Sequence, residues 1–278
     1  NVPATLSPTV NTSLYRKVLN RDAPYTDLRD FTARINISNP NRFAYVADEV
    51  NLPNYINVMA AMAVPFNHDQ LTKNYYLYRD PHRQEWFRFP WDGDQGLPSG
   101  TTSTHENWAS PLYGDARHTQ ELVNGNPNPT WQNHMHAAIL DNPITREMYM
   151  RRLRNLADQY LRVDRSGNGW FENLINGWKT EISADAARDF QLWSPQGIRS
   201  LSGTVSNVLN TSLPNRRRAL FQTYGPPGTG LIPNPEPSNA VVEFGAIDFN
   251  PASGDQDHEY IEITNANDFA VDLSGWRI

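Results

Sequence analysis

The chain has 278 residues, with 24 Lys and Arg against 30 Asp and Glu, a net charge of −6 and no cysteine. The acidic balance argues against nucleic acid as a partner, because phosphate backbones reward a basic surface. Without cysteine there are no disulfides, no thiolate metal sites and no thiol nucleophile, and no window approaches the roughly 18 apolar residues of a membrane span.

In chain order, the first predicted element is a helix around Thr26–Ile35, with Leu28, Phe31 and Ile35 on one face. A second helix follows Asn51, a capping residue, with Pro53 in its first turn. Ile56, Met59, Ala60 and Ala63 give it the i, i+3, i+4, i+7 stripe, and Pro65 ends it. A polar loop, His68–Asn74, comes next. Tyr75–Tyr78 and Trp86–Phe89 read as two short aromatic strands joined by a turn at Asp80-Pro81. From Gln95 to about Thr130 the chain is rich in Gly, Ser, Asn and Pro and has no sustained period. So long an irregular stretch in a compact domain is more often functional than idle.

From Trp131 the pattern turns helical. Its strongest helix is Thr145–Tyr160, with Met148, Leu153, Leu156 and Tyr160 on or near one face, and Leu174–Ala187 and Arg216–Thr223 are further candidates. Phe190 and Trp193 are expected as core anchors, since large aromatics dominate burial. The run Arg216-Arg217-Arg218 is expected to be a solvated helix face. Gly225–Pro237 reads as a stiff, solvated Pro/Gly linker. Beyond it the period becomes two, Val241, Glu243 and Gly245 alternating with Val242, Phe244 and Ala246, and Tyr260–Ile263 and Val271–Ile278 read as strands. The expectation is a second, all-β module that the chain does not complete. The start at Asn1, with no apolar signal region, reads as an excised piece of a longer product.

Chemistry concentrates in two places, Asn67–Asn74 and Pro90-Trp91-Asp92-Gly93-Asp94. Singly, each residue has an ordinary explanation: His68-Asp69 a helix-ending turn, Asn74 a strand start, Asp92–Gly96 a turn or a calcium loop. Jointly, an acid, an amide five residues later and a second acid after a hairpin are what phosphoryl transfer asks of one side of a nucleotide. Asp69, Asn74 and Asp92 have that order. A separate reading is an extracellular protein stabilised by Ca²⁺ through Asp92, Asp94, Asp255 and Asp257, although the loop lacks the 12-residue ligand rhythm of an EF-hand.

The run Lys73-Asn74-Tyr75-Tyr76-Leu77-Tyr78-Arg79-Asp80, then Trp86, then Phe89-Pro90-Trp91-Asp92-Gly93-Asp94 resembles the CotH family of spore-coat-type atypical kinases. The segment Asp141–Tyr149 with Arg151-Arg152-Leu153 is similar too, and the likeness runs from roughly Tyr25 to Tyr224. Residues 239–278 resemble the start of a lamin-tail domain, an immunoglobulin-like sandwich, through Glu259-Tyr260-Ile261-Glu262, Asn265 and Asp272-Leu273-Ser274-Gly275-Trp276. The resemblance implies an α+β fold: a mostly helical, kinase-like C-terminal lobe with a β-hairpin at the site (1–224), a linker (225–238) and a truncated all-β module (239–278). It implies Asp69 as the catalytic acid, Asn74 and Lys73 as nucleotide-binding residues, and Asn74, Asp92 and Asp94 as metal ligands. The cofactors would be Mg²⁺ and ATP, the substrate a protein hydroxyl, and the setting extracellular or the cell surface, with the β module serving protein or surface attachment. The family's glycine-rich cover and its strand lysine paired to a helical glutamate have no counterpart in the sequence. The resemblance therefore implies a missing N-terminal lobe: an enzyme in the full-length parent, inactive as this piece alone. The alternative is a catalytically inactive kinase-like scaffold or adhesion module of a secreted multidomain protein.

Overall fold

The computed structural model describes residues 15–67, 74–97, 122–123, 126–127, 133–194, 197 and 200–277. The first three helices among the described residues are α1 (Thr26–Arg34), α2 (Arg42–Glu49) and α3 (Leu52–Ala63). On α1, Leu28 and Phe31 are buried together with Ile35 just past its end, as their spacing predicts. The α3 start is capped as expected, the Asn51 side-chain oxygen accepting from the Asn54 N–H at 3.0 Å. Its Tyr55, Ile56, Met59, Ala60 and Ala63 are buried. Helix α2 is not foreshadowed in the sequence. It buries Tyr45 and Val46 and carries a buried arginine, Arg42, whose partner Asp141 lies 2.8 Å away and 99 positions along the chain.

Strands β1 (Tyr75–Arg79) and β2 (Trp86–Pro90) pair antiparallel with Tyr76 opposite Phe89 and Leu77 opposite Arg88. Alternation sorts their side chains onto two faces. Trp86 and Arg88 face the interior, while Tyr76, Tyr78 and Phe89 face outward and are exposed. At the turn the Asp80 carboxylate accepts from the His82 and Arg83 N–H groups, which hold its pKa below the usual range. The hairpin is fastened to the start of α3, because Asn51 N–H donates to the Trp86 carbonyl at 3.0 Å, and to α1, where the Trp86 ring packs at a tilt against Phe31. A short pair, β3 (Leu122–Val123) with β4 (Asn126–Pro127), follows.

Helices α4 (His134–Asp141) and α5 (Pro143–Tyr160) are each capped by an asparagine, Asn133 and Asn142. With α3 they enclose the core, where Ile139, Leu153, Leu161 and Met59 are among the most buried side chains. Met148, expected on the inner face of α5, is instead exposed. Helix α6 (Trp170–Trp193) is longer than predicted and none of its residues is fully buried. Phe190 and Trp193 are 36% and 49% exposed and do not anchor the core. The helix meets the core through Phe171 and Ile175 in its first turns, and farther along it packs on α7 (Leu201–Asn207). Among the described residues no helix is long and apolar enough to cross a membrane.

The end of this region corrects the expectation for the arginine run. Helix α8 (Leu213–Arg217) carries Pro214, which lacks an N–H, in its first turn, and π-helical turns flank it at Val208–Ser212 and Arg218–Thr223. Arg216 is fully buried, and its guanidinium donates to the Ala63 and Val64 carbonyls and lies 5.0 Å from the Phe66 ring centre. Arg217 bonds Leu161 O and Glu172. Only Arg218 is exposed.

The segment after Tyr224 is exposed over most of its length and is pinned to the helical region at a few points. Gly228 folds back so closely that a Cβ there would collide with the Thr223 carbonyl. Ile232 is buried. Arg154 donates to Pro233 O and Arg151 to Asn234 O and Ala270 O, all at 2.8 Å. Strands β5 (Val242–Asp248) and β6 (Tyr260–Asn265) form an antiparallel pair with a bulge between Phe244 and Ile247. Residues 271–277 are not a strand; a turn at Ser274-Gly275 puts Asp272 beside Arg152, 2.8 Å away, and beside Asn155. The exposed strands depend on sequence alternation for their pairing, whereas this turn depends on long-range contacts with α5. The architecture is α+β and mostly helical.

Candidate functional site

The exit from α3 is heavily constrained. Asn67 N–H reaches back to Met62 O at 2.9 Å, and Phe66 is held at φ 57°, a left-handed conformation uncommon for a bulky residue. Arg216 grips the two carbonyls just before it. The chain that follows β2 returns to the same place: Leu97 N–H donates to Pro65 O at 2.6 Å, and Gly96 packs on Pro65.

Asn67 itself is 2% exposed. Its side-chain nitrogen lies 3.6 Å from the position a Cβ on Gly93 would take, so its amide end abuts the residue after Asp92. Its side-chain oxygen has no hydrogen-bond partner among the described residues.

At the other end, Asn74 adopts φ 60° just before β1. Its carbonyl accepts from Trp91 N–H at 3.0 Å, which carries the hairpin ladder one step further, and its side-chain amide donates to Asp92 O at 3.4 Å. Asp92 is left-handed as well, at φ 53° and ψ 62°, a region aspartate tolerates better than most residues. It is exposed and leads into a 3₁₀ turn, Gly93–Gln95, that presents an exposed Asp94.

The structure thus brings Asn74, Asp92 and Asp94 together at one corner. Asn67 and Asn74, which bracket residues 68–73, both touch the Asp92 turn. The expected catalytic acid Asp69 and the expected nucleotide-binding Lys73 lie outside the described residues. Asp255 and Asp257 sit on a separate turn between β5 and β6, where the Asp255 carboxylate accepts from Asp257 N–H. Among the described residues no group of three or more His, Cys, Asp or Glu side chains gathers for a metal. The donors at the corner are two carboxylates and amide oxygens, all hard. That set suits Mg²⁺, which takes one or two protein carboxylates and completes its shell with water and phosphate.

Beneath the hairpin lies a cluster that sequence reasoning missed. Arg88 is fully buried, its guanidinium 4.5 Å from the Tyr75 ring centre and 5.4 Å from that of Tyr55, with His136 Nε2 at 3.4 Å. The Tyr55 hydroxyl meets His136 Nδ1 at 3.5 Å, and burial pushes the Tyr55 pKa up to about 12, so it stays a neutral phenol. Arg88 was recoverable from the alternation of β2, which puts it on the same face as Trp86. His136 was not, because its partners Arg88 and Tyr55 are remote in sequence. Along β1, a groove of about 570 Å³ opens, lined by Tyr15, Lys17, Asn74, Tyr76 and Phe89 among others, and it reaches the corner through Asn74.

Two observations on known proteins bear on this geometry. A family model described as CotH kinase protein matches residues 7–220. No curated protein and no solved structure matches the chain.

Proposed function

The chain belongs to the CotH kinase family, and on that premise we propose that its protein is a Mg²⁺-dependent kinase transferring the γ-phosphoryl group of ATP to a protein hydroxyl. The observation that supports this best is the meeting of Asn74 with the Trp91-Asp92 segment across the end of the hairpin, its carbonyl accepting from Trp91 N–H at 3.0 Å and its side-chain amide donating to the Asp92 carbonyl at 3.4 Å. An amide and an acid separated by 18 positions are joined there by strand register.

In this reading Asn74, Asp92 and Asp94 hold the metal, which supplies positive charge against the phosphate oxygens. Asp69 orients the acceptor hydroxyl and takes its proton as the oxygen bonds to the γ-phosphorus and the bridging bond to ADP breaks. Lys73 offers charge to the transferring group. The groove along β1 leads to Asn74 and is the natural approach for the nucleotide. Arg216 and the Leu97–Pro65 contact keep the α3 exit and the Asp92 turn in fixed relation, as catalysis by positioning requires. We further propose that residues 239–278 form the start of a lamin-tail-like module serving attachment, and that the protein works outside the cell or at its surface.

The test is phosphate incorporation from labelled ATP by the full-length protein. Asp92→Ala is expected to lower the rate by about 10²–10³-fold, the usual scale for losing a preorganised electrostatic contact. Asp189→Asn, on the exposed side of α6, should leave it unchanged. An Asp92→Ala protein as active as wild type removes the assignment. If millimolar Mg-ATP fails to raise the wild-type melting temperature, the inactive scaffold becomes the better reading, since a ligand bound only by the folded state must stabilise it.

A further inference from the structure

We infer that Asn67 is a further oxygen donor of the cation site, which rests on the reading of Asn74 and Asp92 as ligands of that cation. The argument starts from an unmet need. The Asn67 side-chain oxygen is buried in a residue only 2% exposed and accepts no hydrogen bond among the described residues. A buried acceptor left in that state costs about 1–3 kcal/mol, and folded proteins seldom keep one that nothing completes. If the position served packing alone, an apolar side chain of the same size would satisfy it better, in a stretch whose Ala63, Val64 and Phe66 are all buried.

Its placement says what would complete it. The amide end abuts Gly93, the residue that follows Asp92 and begins the turn carrying Asp94. The polypeptide around it is immobilised by Asn67 N–H on Met62 O, Leu97 N–H on Pro65 O and Arg216 on Val64 O. A neutral amide oxygen in a buried side chain that abuts the turn carrying two exposed carboxylates is a donor for a hard cation or for one of its bound waters. It adds a ligand without adding charge. Asn67, Asn74 and Asp92, two amides and one acid, would then share the cation, with Asp94 on the same turn.

The probe is Mn²⁺, which shares the preference of Mg²⁺ for oxygen ligands and is read directly by the loss of its free-ion paramagnetic resonance signal. Wild-type chain, Asn67→Leu, Asn67→Asp and Asp92→Ala are titrated without nucleotide. Asn67→Leu is expected to weaken Mn²⁺ binding about tenfold or more, the scale seen when a supporting group of a metal site is lost. Its melting temperature without metal should be equal to wild type or higher, because the orphaned acceptor is gone. Asn67→Asp keeps the oxygen, gains charge and should bind more tightly. If Asn67→Leu and Asn67→Asp both bind like wild type while Asp92→Ala does not, Asn67 is structural only and the inference is wrong. If Asp92→Ala binds like wild type, the cation site itself is misplaced and the reading beneath the inference falls with it. Should Asn67→Leu fail to fold, Asn67→Asp decides alone: unchanged affinity overturns the inference.

Discussion

Replacing Arg216 by methionine tests whether the buried arginine holds the exit of α3 or merely fills space. Its guanidinium donates to the Ala63 and Val64 carbonyls and faces the Phe66 ring at 5.0 Å. Each hydrogen bond from a charged donor contributes about 1.5–3 kcal/mol. The lower figure applies here, because Ala63 O also accepts from Phe66 N–H and so retains a partner when the arginine is gone. Two such bonds give about 3 kcal/mol. Methionine keeps most of the volume, so the cavity contribution is small. The arene contact adds to the loss, while removing a buried charge subtracts from it. Urea unfolding of Arg216→Met against wild type measures the difference, with Arg218→Met as the control, since that exposed neighbour should change stability by less than about 0.5 kcal/mol. A loss under about 1 kcal/mol for Arg216→Met, or equal losses for the two variants, would refute the clamp.

The packing core makes a plainer prediction: Leu153→Ala should cost about 2–5 kcal/mol, as Leu153 is fully buried, whereas Met148→Ala one turn earlier should be nearly neutral because Met148 is 37% exposed. Urea midpoints distinguish the two. The docking of the β module is sensitive to acid. Burial pushes the Asp272 pKa up, but the Ser274 hydroxyl and N–H and the Arg152 guanidinium outweigh it and hold it below the carboxylate value of 3.8. A folded carboxylate with a depressed pKa binds fewer protons than the unfolded chain, so its contribution is complete above 3.8 and is lost as pH falls through the lower folded value. Wild type should therefore lose more stability than Asp272→Asn between pH 5 and pH 2, and parallel stability profiles for the two proteins would contradict the ion pair's role.

What could be read from the residues, and what could not, divides along the range of the interactions involved. The Asn51 cap, Pro53 in the first turn and the Pro65 stop are local signals, and α3 appears where they put it. The hairpin was legible because Tyr75–Tyr78 and Trp86–Phe89 are rich in aromatics and flank a turn at Asp80-Pro81, and their pairing carries the register that brings Asn74 to Asp92. Helix α2 was not legible, since its inner side includes an arginine whose partner, Asp141, is remote in sequence. Phe190 and Trp193 misled for the opposite reason. Their bulk says they would gain from burial, but only tertiary placement decides whether anything is there to bury them, and beyond its first turns α6 packs chiefly on α7.

The arginine run was misread, and the linker, though exposed over most of its length, is pinned where no sequence signal points. A charge run is usually solvated because a lone buried charge is costly, and a Pro/Gly segment is usually free because it forms no ladder. In this fold each condition is lifted by the other kind of group. Segments without regular structure leave backbone carbonyls unsatisfied, and arginines supply up to five donors each. Arg216 meets the carbonyls at the end of α3, Arg217 that of Leu161, Arg154 that of Pro233, and Arg151 those of Asn234 and Ala270. Among the described residues, three of the five buried arginines, Arg151, Arg154 and Arg216, thus donate to main-chain oxygen, a partner with no sequence signature. That is why spacing could propose Asn74 and Asp92 as partners, whereas the arginine that braces the α3 exit could only be seen in three dimensions.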